Sequence, residues 1–304
     1  MAGAIQVFGL GQCCIDYLGR IESFPPPDSK CEFSGLVVQG GGPVATALVA
    51  LARWGSSCAI AGVVGDDDFG SLIRQELEQE GIDIEGLRVR EDRDSQFSFV
   101  VAEPGLGRRT LFWRRPTGSP PTADEVDHDL LRRSEVFYTD GIFPEASLAA
   151  AKTAKDAGVQ VVVDAGSLRE GRLELASLSH HFITGEDFAS SFAKGVYPIE
   201  VCHRLAEMGP TVVGVTLGER GYVAVAEGIE IERPAYPVEA VDTTGCGDIF
   251  HAGYTYGLLR GWNVEKRLDF GAWAASRVAL KLGGRTAIPA PEEWSGLNPT
   301  KPSG

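Results

Sequence analysis

No stretch of this 304-residue chain approaches the roughly 20 consecutive apolar residues that a membrane-spanning helix requires. The opening MAGAIQVFGLGQCCIDY carries no basic flank before its apolar run, so it reads as a first β-strand and not as a signal peptide. Positive charge is scarce, with 28 Lys and Arg against 42 Asp and Glu and a net charge of −14. Nucleic acid and anionic membrane surfaces are therefore not expected partners, because binding them needs clustered positive charge. A small anionic ligand stays open, since a local field can oppose the total. Metal-binding cysteine spacing is missing as well. Cys13, Cys14, Cys31, Cys58, Cys202 and Cys246 form no C-x-x-C pair, and the five histidines complete no zinc pattern. Reduced thiols in a cytoplasmic protein are the expectation. Neither linker, low-complexity tract nor internal repeat divides the chain, so residues 1–304 are expected to form one domain.

Both common nucleotide signatures fail on the letters. There is no G-x-x-x-x-G-K-[ST], and the early GLGQCC lacks the third glycine of a dinucleotide fingerprint.

What is present is alternation. β-rich runs at 5–10, 58–64, 136–139, 159–164 and 211–216 are interleaved with helical stretches at 44–54, 71–80 and 146–157. VQVVVDAG is almost continuously apolar, as for a strand covered on both faces. The pattern predicts an α/β sandwich around a mainly parallel sheet. Two helical segments follow, at 247–259 and 265–282. Two other segments break the rhythm: 18–40, with its FPPP turn, and 95–115, where two β-rich runs flank Pro-Gly-Leu-Gly like a hairpin. They predict a small antiparallel sheet standing off the domain as a lid.

The stretch VDTTGCGDIFHAGY, residues 241–254, carries the chemistry. If Asp248 opens a helix, the amides of Gly245, Cys246 and Gly247 point outward from its N-terminus, where unpaired N–H groups and the helix dipole attract an anion. Glycine lets a phosphate approach the backbone. A carboxylate beside such a hole disfavours plain phosphate binding, but it suits a base taking the proton of a hydroxyl that attacks the phosphate. The plainer alternative is an N-capping Asp after a glycine turn. Asp242, Thr243 and Thr244 offer oxygens to a cation behind the loop.

DTTGCGDIFHAG closely resembles the C-terminal signature of the PfkB, or ribokinase-like, carbohydrate kinases, D-T-x-G-A-G-D-x-F. GGGPVATALVALARWG at 40–55 followed by GVVGDDDFG at 62–70 resembles the first signature of that family, and VTLGERG at 215–221 is similar to its nucleotide-side strand and turn. The resemblance covers nearly the whole chain and implies a ribokinase-like three-layer α/β sandwich with a β lid. It implies that Asp248 is the catalytic base and that Gly245, Cys246 and Gly247 form the anion hole, Cys246 standing where Ala is frequent. It places Asp16, at the end of the first strand, on sugar hydroxyls, and Gly41 and Gly42 against the sugar. Thr216, Gly218 and Gly221, with Gly245 and Gly247, fall on the nucleotide side. Asp242 and Thr244 match positions that help to hold a monovalent cation, usually potassium. Mg2+ enters with ATP, and the lids of such kinases often pair into homodimers; Phe97, Phe99, Val101, Leu111 and Trp113 are compatible with that role, or equally with packing onto the substrate or within one chain.

Departures from the pattern bear on substrate. Thr46 stands where ribokinase-type members carry Asn, and one hydroxyl cannot make both kinds of amide hydrogen bond. The N-x-x-E element is not legible in FITGEDFASS, although Glu186 and Asp187 lie there. GGRTAIP at 283–289 looks closer to the ketohexokinase and sulfofructose kinase branch. Lys30 and the lid arginines Arg108, Arg109, Arg114 and Arg115 are either a solvated face or contacts to a phosphate or sulfonate on the sugar. In an alternating strand Phe112 and Arg114 share one face, Trp113 and Arg115 the other. Arg114 is taken as the substrate-side candidate with Lys30 and Thr46. His251, one turn past Asp248, is expected to pack near the nucleotide. The expected activity is ATP-dependent phosphorylation of a sugar hydroxyl; the alternatives are a nucleoside kinase and a non-catalytic sugar- or nucleotide-binding regulator.

Overall fold

The computed structural model describes residues 4–103 and 108–296. In chain order the elements open with β1 (Val7–Leu10), β2 (Cys14–Arg20), β3 (Ser34–Gly41), α1 (Pro43–Arg53), β4 (Cys58–Gly65), α2 (Asp68–Gln79) and β5 (Asp83–Arg90). They continue with β6 (Phe97–Glu103), β7 (Arg108–Arg114), α3 (His128–Arg132), β8 (Val136–Thr139), α4 (Pro144–Asp156), β9 (Gln160–Ala165), α5 (Arg172–Leu178) and β10 (His181–Gly185). The rest are α6 (Glu186–Phe192), α7 (Pro198–Ala206), β11 (Val212–Thr216), β12 (Tyr222–Ala226), β13 (Ile229–Arg233), α8 (Cys246–Leu259) and α9 (Val264–Val278).

Alternate side chains of the buried strands feed two cores. Val7, Ile60, Tyr138 and Val162 point to one, where α1, α2, α8 and α9 supply Leu48, Ile73, Ile249 and Phe270. Phe8, Phe137, Val161 and Val163 point to the other, covered by helices α3 to α7 through Leu131, Ala150, Leu175, Phe188 and Val201. Helices on both faces are what makes the strands read as continuous apolar runs. The sheet has nine strands in the order β13-β12-β11-β10-β9-β8-β1-β4-β5. It is parallel from β5 to β11, and only β12 and β13 run antiparallel, at one edge. The strand order reverses at β1, which lies between β4 and β8, and ligands of such sheets bind outside the strand carboxyl ends at that reversal. Four strands were not foreseen from the sequence: β5, β10, β12 and β13.

The second sheet has the order β3-β2-β6-β7. It differs from the expected lid in two ways. Its middle pair, β2 and β6, is parallel, so the lid is mixed and not wholly antiparallel. The lid also starts at Cys14, four residues before the expected boundary, which moves Asp16 from the end of the first strand onto a lid strand. The apolar run CCID reads equally well as the tail of β1, and this hid the break at residues 11–13. The foreseen hairpin turn, 104–107, lies outside the described residues; the strands that flank it are paired antiparallel. Among the described residues no helix is long and apolar enough to cross a membrane.

Candidate active site

Helix α8 is buried on almost every side, with Ile249, Ala252, Tyr254 and Thr255 fully covered, while its first turn faces two cavities through Gly247 and Asp248. Gly245 caps it with φ 77, and a Cβ there would come within 2.6 Å of the Gly284 Cα, so only glycine fits. The Cys246 amide turns back onto the Thr243 carbonyl at 3.3 Å, which leaves the amides of Gly245 and Gly247 to serve the cavity that both residues line. Cys246 itself is absent from that wall. Its half-buried thiol, pushed up to about 12 by burial, stays protonated, so its part in the loop is structural. The expected three-amide hole is therefore reduced at its middle member.

Asp248 lies on the common wall of two adjoining cavities, one of 640 Å³ and one of 240 Å³. Burial, then the charge of Asp164, push its carboxyl up to about 7, against the opposing pull of His251 and Arg109. A carboxyl titrating near neutrality can take a proton and release it with similar ease. Behind it, His251 is 3% exposed, with Nδ1 2.8 Å from the Gly247 carbonyl and 3.5 Å from Asp164 Oδ2. Its Nε2 faces the Ile183 carbonyl at 3.2 Å. The ring clamps the first turn of α8 onto β9 and β10, and Tyr138 donates to the same Asp164 oxygen at 3.2 Å.

Asp16 enters the larger cavity from β2. It accepts hydrogen bonds from Ser98 Oγ and, at 3.3 Å, from Cys14 Sγ, and burial raises its pKa. Gly41 is opposite: a Cβ there would lie 2.0 Å from Asp16 Oδ2, so the missing side chain makes room for the carboxylate itself. Gly42 lines the cavity with φ 93.

Three expected acceptor-side residues are elsewhere. Thr46 is 2% exposed on α1 and accepts from Arg285 Nε at 3.3 Å, behind the cavity wall. Lys30 is exposed in the coil between β2 and β3 and lines neither cavity. Arg114 is turned to the far face of β7, where it pairs with Asp94. The pleat is the reason: Arg109, Leu111, Trp113 and Arg115 share the inward face and line the larger cavity.

On the nucleotide side, Thr216 ends β11 and lines the smaller cavity with Gly185. Gly218 (φ 59) and Gly221 (φ 99) shape the turn into β12 without lining either cavity. Glu186 is held by Arg220 at 2.5 Å, which ties the start of α6 to that turn. Asp242 braces the anion loop, accepting from Thr244 N (2.9 Å), Thr244 Oγ1 (2.7 Å) and Gly283 N (2.9 Å).

Several site residues were not singled out from sequence. Asp140 and Asp164 follow β8 and end β9; Asp140 is pushed up to about 6 by burial while accepting from the Gln12 and Ile142 amides. The strands were recognised, and the rule that ligands gather at their carboxyl ends would have picked out both acids. Arg172 is 4% exposed beside them. Arg285 is 6% exposed and bonds the Gly41 carbonyl at 3.2 Å, joining the GGRTAIP segment to the chain just before Gly42 on the larger cavity's wall.

Comparisons with known proteins bear on the family and the fold. The chain is 26% identical over 286 residues to the ATP-dependent ribose-1-phosphate kinase of Halopiger xanaduensis, covering 93% of this chain and 95% of that protein. It is 26% identical to the nucleoside kinase of Methanothermobacter thermautotrophicus, over 93% and 92% of the two chains. The crystal structure of a putative ribokinase from Agrobacterium tumefaciens superposes with a TM-score of 0.86 at 24% identity, over 96% of both chains, and shows the same ribokinase-like fold. Residues 5–291 match the pfkB family carbohydrate kinase, and the chain belongs to that family.

Proposed function

We propose that the protein transfers the γ-phosphoryl group of Mg-ATP to a hydroxyl of a small sugar or sugar derivative. One observation carries the reading: Gly247 and Asp248 line both cavities, with Gly245 beside them on the larger, so an acceptor in one and a nucleotide in the other would share them. Asp248 takes the hydroxyl proton as the oxygen attacks. The Gly245 and Gly247 amides offset charge on the transferring group, aided by the positive end of α8. Asp16 orients the acceptor, and closure of the lid would exclude water. Asp140, Asp164 and Thr216 give the smaller cavity hard oxygen donors of the kind a phosphate-bound Mg2+ takes one or two of. The metal would neutralise phosphate charge.

Potassium against Asp242 and Thr244 belongs to the same reading, although the pair acts here as a brace; activity in potassium against a tetraalkylammonium salt tests it. We also propose pairing of two lids across their outer face, where Phe99 and Phe112 are 44% and 54% exposed. Sedimentation of wild type beside Phe112→Glu tests the dimer. The cytoplasm is the proposed compartment.

A nucleoside acceptor is the second reading, favoured by the nucleoside kinase among the relatives and by a cavity large enough for a base. A non-catalytic regulator would not need a carboxylate poised near neutrality. ADP release across sugars and nucleosides, beside Asp248→Asn, decides among the three. Turnover that vanishes in the variant supports the kinase and names its acceptor; equal turnover in both proteins refutes the assigned base.

A further inference from the structure

Strand pairing in the lid arranges the inward-facing residues in rows. Asp16, Ser98 and Trp113 form one row, set by the β2–β6 and β6–β7 registers. At one end of the lid Arg109, opposite Ala102, reaches down to Thr243 Oγ1 at 2.5 Å, beside the anion loop. At the other end lie Cys14, Gln96 and Arg115, all on the wall of the larger cavity. Arg115 lies six residue steps beyond Arg109, about 20 Å of extended chain at about 3.3 Å per residue. An acceptor with one hydroxyl at Asp248 and others at Asp16 therefore extends toward Arg115.

Arg115 is held and uncommitted. Its backbone is anchored on both sides to Asp94, through the Arg114 ion pair and through Thr117, whose N–H donates to the Asp94 carbonyl at 3.1 Å and whose Oγ1 accepts from the Asp94 N–H at 2.8 Å. The guanidinium rests on the Trp113 ring at 4.8 Å. Among the described residues no carboxylate pairs with it, whereas Arg53, Arg90, Arg114, Arg132, Arg204, Arg220 and Arg233 all have one. The nucleotide phosphates have their own cations: Arg169 and Arg172 line the smaller cavity, and the buried Nε of Arg172 has no hydrogen-bond partner. Arg109 and Arg115 line the larger cavity but not the smaller, Arg169 lines both, and Arg109 is already engaged with Thr243. The carboxylates of that cavity are Asp16 and Asp248, at the hydroxyl end, and the exposed Glu170.

We propose that the acceptor carries a tetrahedral oxyanion, phosphate or sulfonate, at the end remote from the phosphorylated hydroxyl, and that Arg115 selects it through a bidentate pair. The inference rests on the kinase reading of the same cavity. In a chain of net charge −14, a free arginine fixed at the far end of an acceptor cavity recovers locally the attraction that the overall charge denies an anion.

The test follows ADP release from Mg-ATP with matched acceptors: ribose and ribose 1-phosphate, fructose and fructose 6-phosphate, and fructose with a sulfonate in place of its 6-hydroxyl. One anionic acceptor is expected to exceed its neutral partner at least tenfold in kcat/KM, and the sulfonated arm separates the two oxyanions. Arg115→Gln lowers that kcat/KM about ten- to hundredfold, chiefly through KM, as for the loss of a charged hydrogen-bonded pair, and changes the neutral partner less than about twofold. Arg204→Gln, the same charge change on α7, alters neither. Preference for the neutral member, or an equal loss on both members in Arg115→Gln, overturns the inference while leaving the kinase reading standing. Turnover unaffected by Asp248→Asn overturns the kinase reading and this inference with it.

Discussion

Replacing Asp248 by Asn should make the protein more stable and catalytically silent. The carboxyl titrates at about 7 where an ordinary Asp titrates at 3.8, so ionising it in the folded state works against burial and the neighbouring Asp164 charge. At about 1.36 kcal/mol per pH unit the rise caps the cost of carrying that charge at about 4 kcal/mol. Asp248 remains accessible from two cavities, and water there screens part of the cost, so a gain of about 1–2 kcal/mol is expected for the isosteric amide. The sign follows from proton linkage. Because the folded-state pKa is raised, the folded protein holds the proton more tightly than the unfolded chain, and stability is lost as pH climbs from about 4 to about 7. Asn carries no such penalty. The variant should therefore melt higher at pH 8, by about 2–6 °C if the sensitivity of somewhat smaller domains applies, and level with wild type near pH 4. Differential scanning calorimetry at the two pH values reads this out, beside ADP release, which should fall at least 10²-fold, the usual contribution of a general base. A variant that melts lower than wild type at both pH values, by a constant margin, would refute the electrostatic reasoning.

The same carboxyl predicts that kcat/KM falls about tenfold per pH unit below about 7; a flat profile from pH 5 to 8 would show that Asp248 is not the base. Gly41→Ala sets a methyl 2.0 Å from Asp16 Oδ2, so acceptor KM should rise at least tenfold, with a stability loss of about 1–3 kcal/mol from overpacking; unchanged kinetics would remove Asp16 from the acceptor site. Cys246→Ala keeps the loop backbone and removes a protonated thiol off the cavity wall, so kcat should stay within about threefold, and thiol alkylation of wild type at that residue should be slow. A large loss in that variant would give the side chain a part in the chemistry.

The layered sheet was legible because its strands are covered on both faces, which leaves near-continuous apolar runs, and α8 was legible because Gly-Cys-Gly-Asp marks a glycine-capped helix start. The strands that escaped are of another kind. β5 and β13 are edges with alternating exposure, their charged outward residues breaking the apolar signal. The lid boundary at Cys14 was hidden because the turn after β1 contains no proline and is flanked by apolar residues on both sides. Thr46 and Arg114 were misassigned for a geometric reason: sequence position locates the helix or strand, but the face that looks into the cavity depends on a register that only the folded sheets reveal. Arg285 could not be read at all, since its partners Gly41 and Thr46 lie more than 230 positions away.

That long bridge bears on how the enzyme is made. Gly40 and Gly41 leave the ribosome early, yet the guanidinium that ties the Gly41 carbonyl to α1 is translated more than 240 residues later, in the loop that also presses Gly284 against Gly245. Both walls of the reaction centre thus wait on one late segment. A nascent chain stalled before residue 283 would already contain the lid, all nine helices and all thirteen strands while being unable to bind acceptor tightly, and contacts of such sequence separation are slow to close. Catalytic competence would then arrive in one step, when residues 283–285 close onto Gly41 and Gly245.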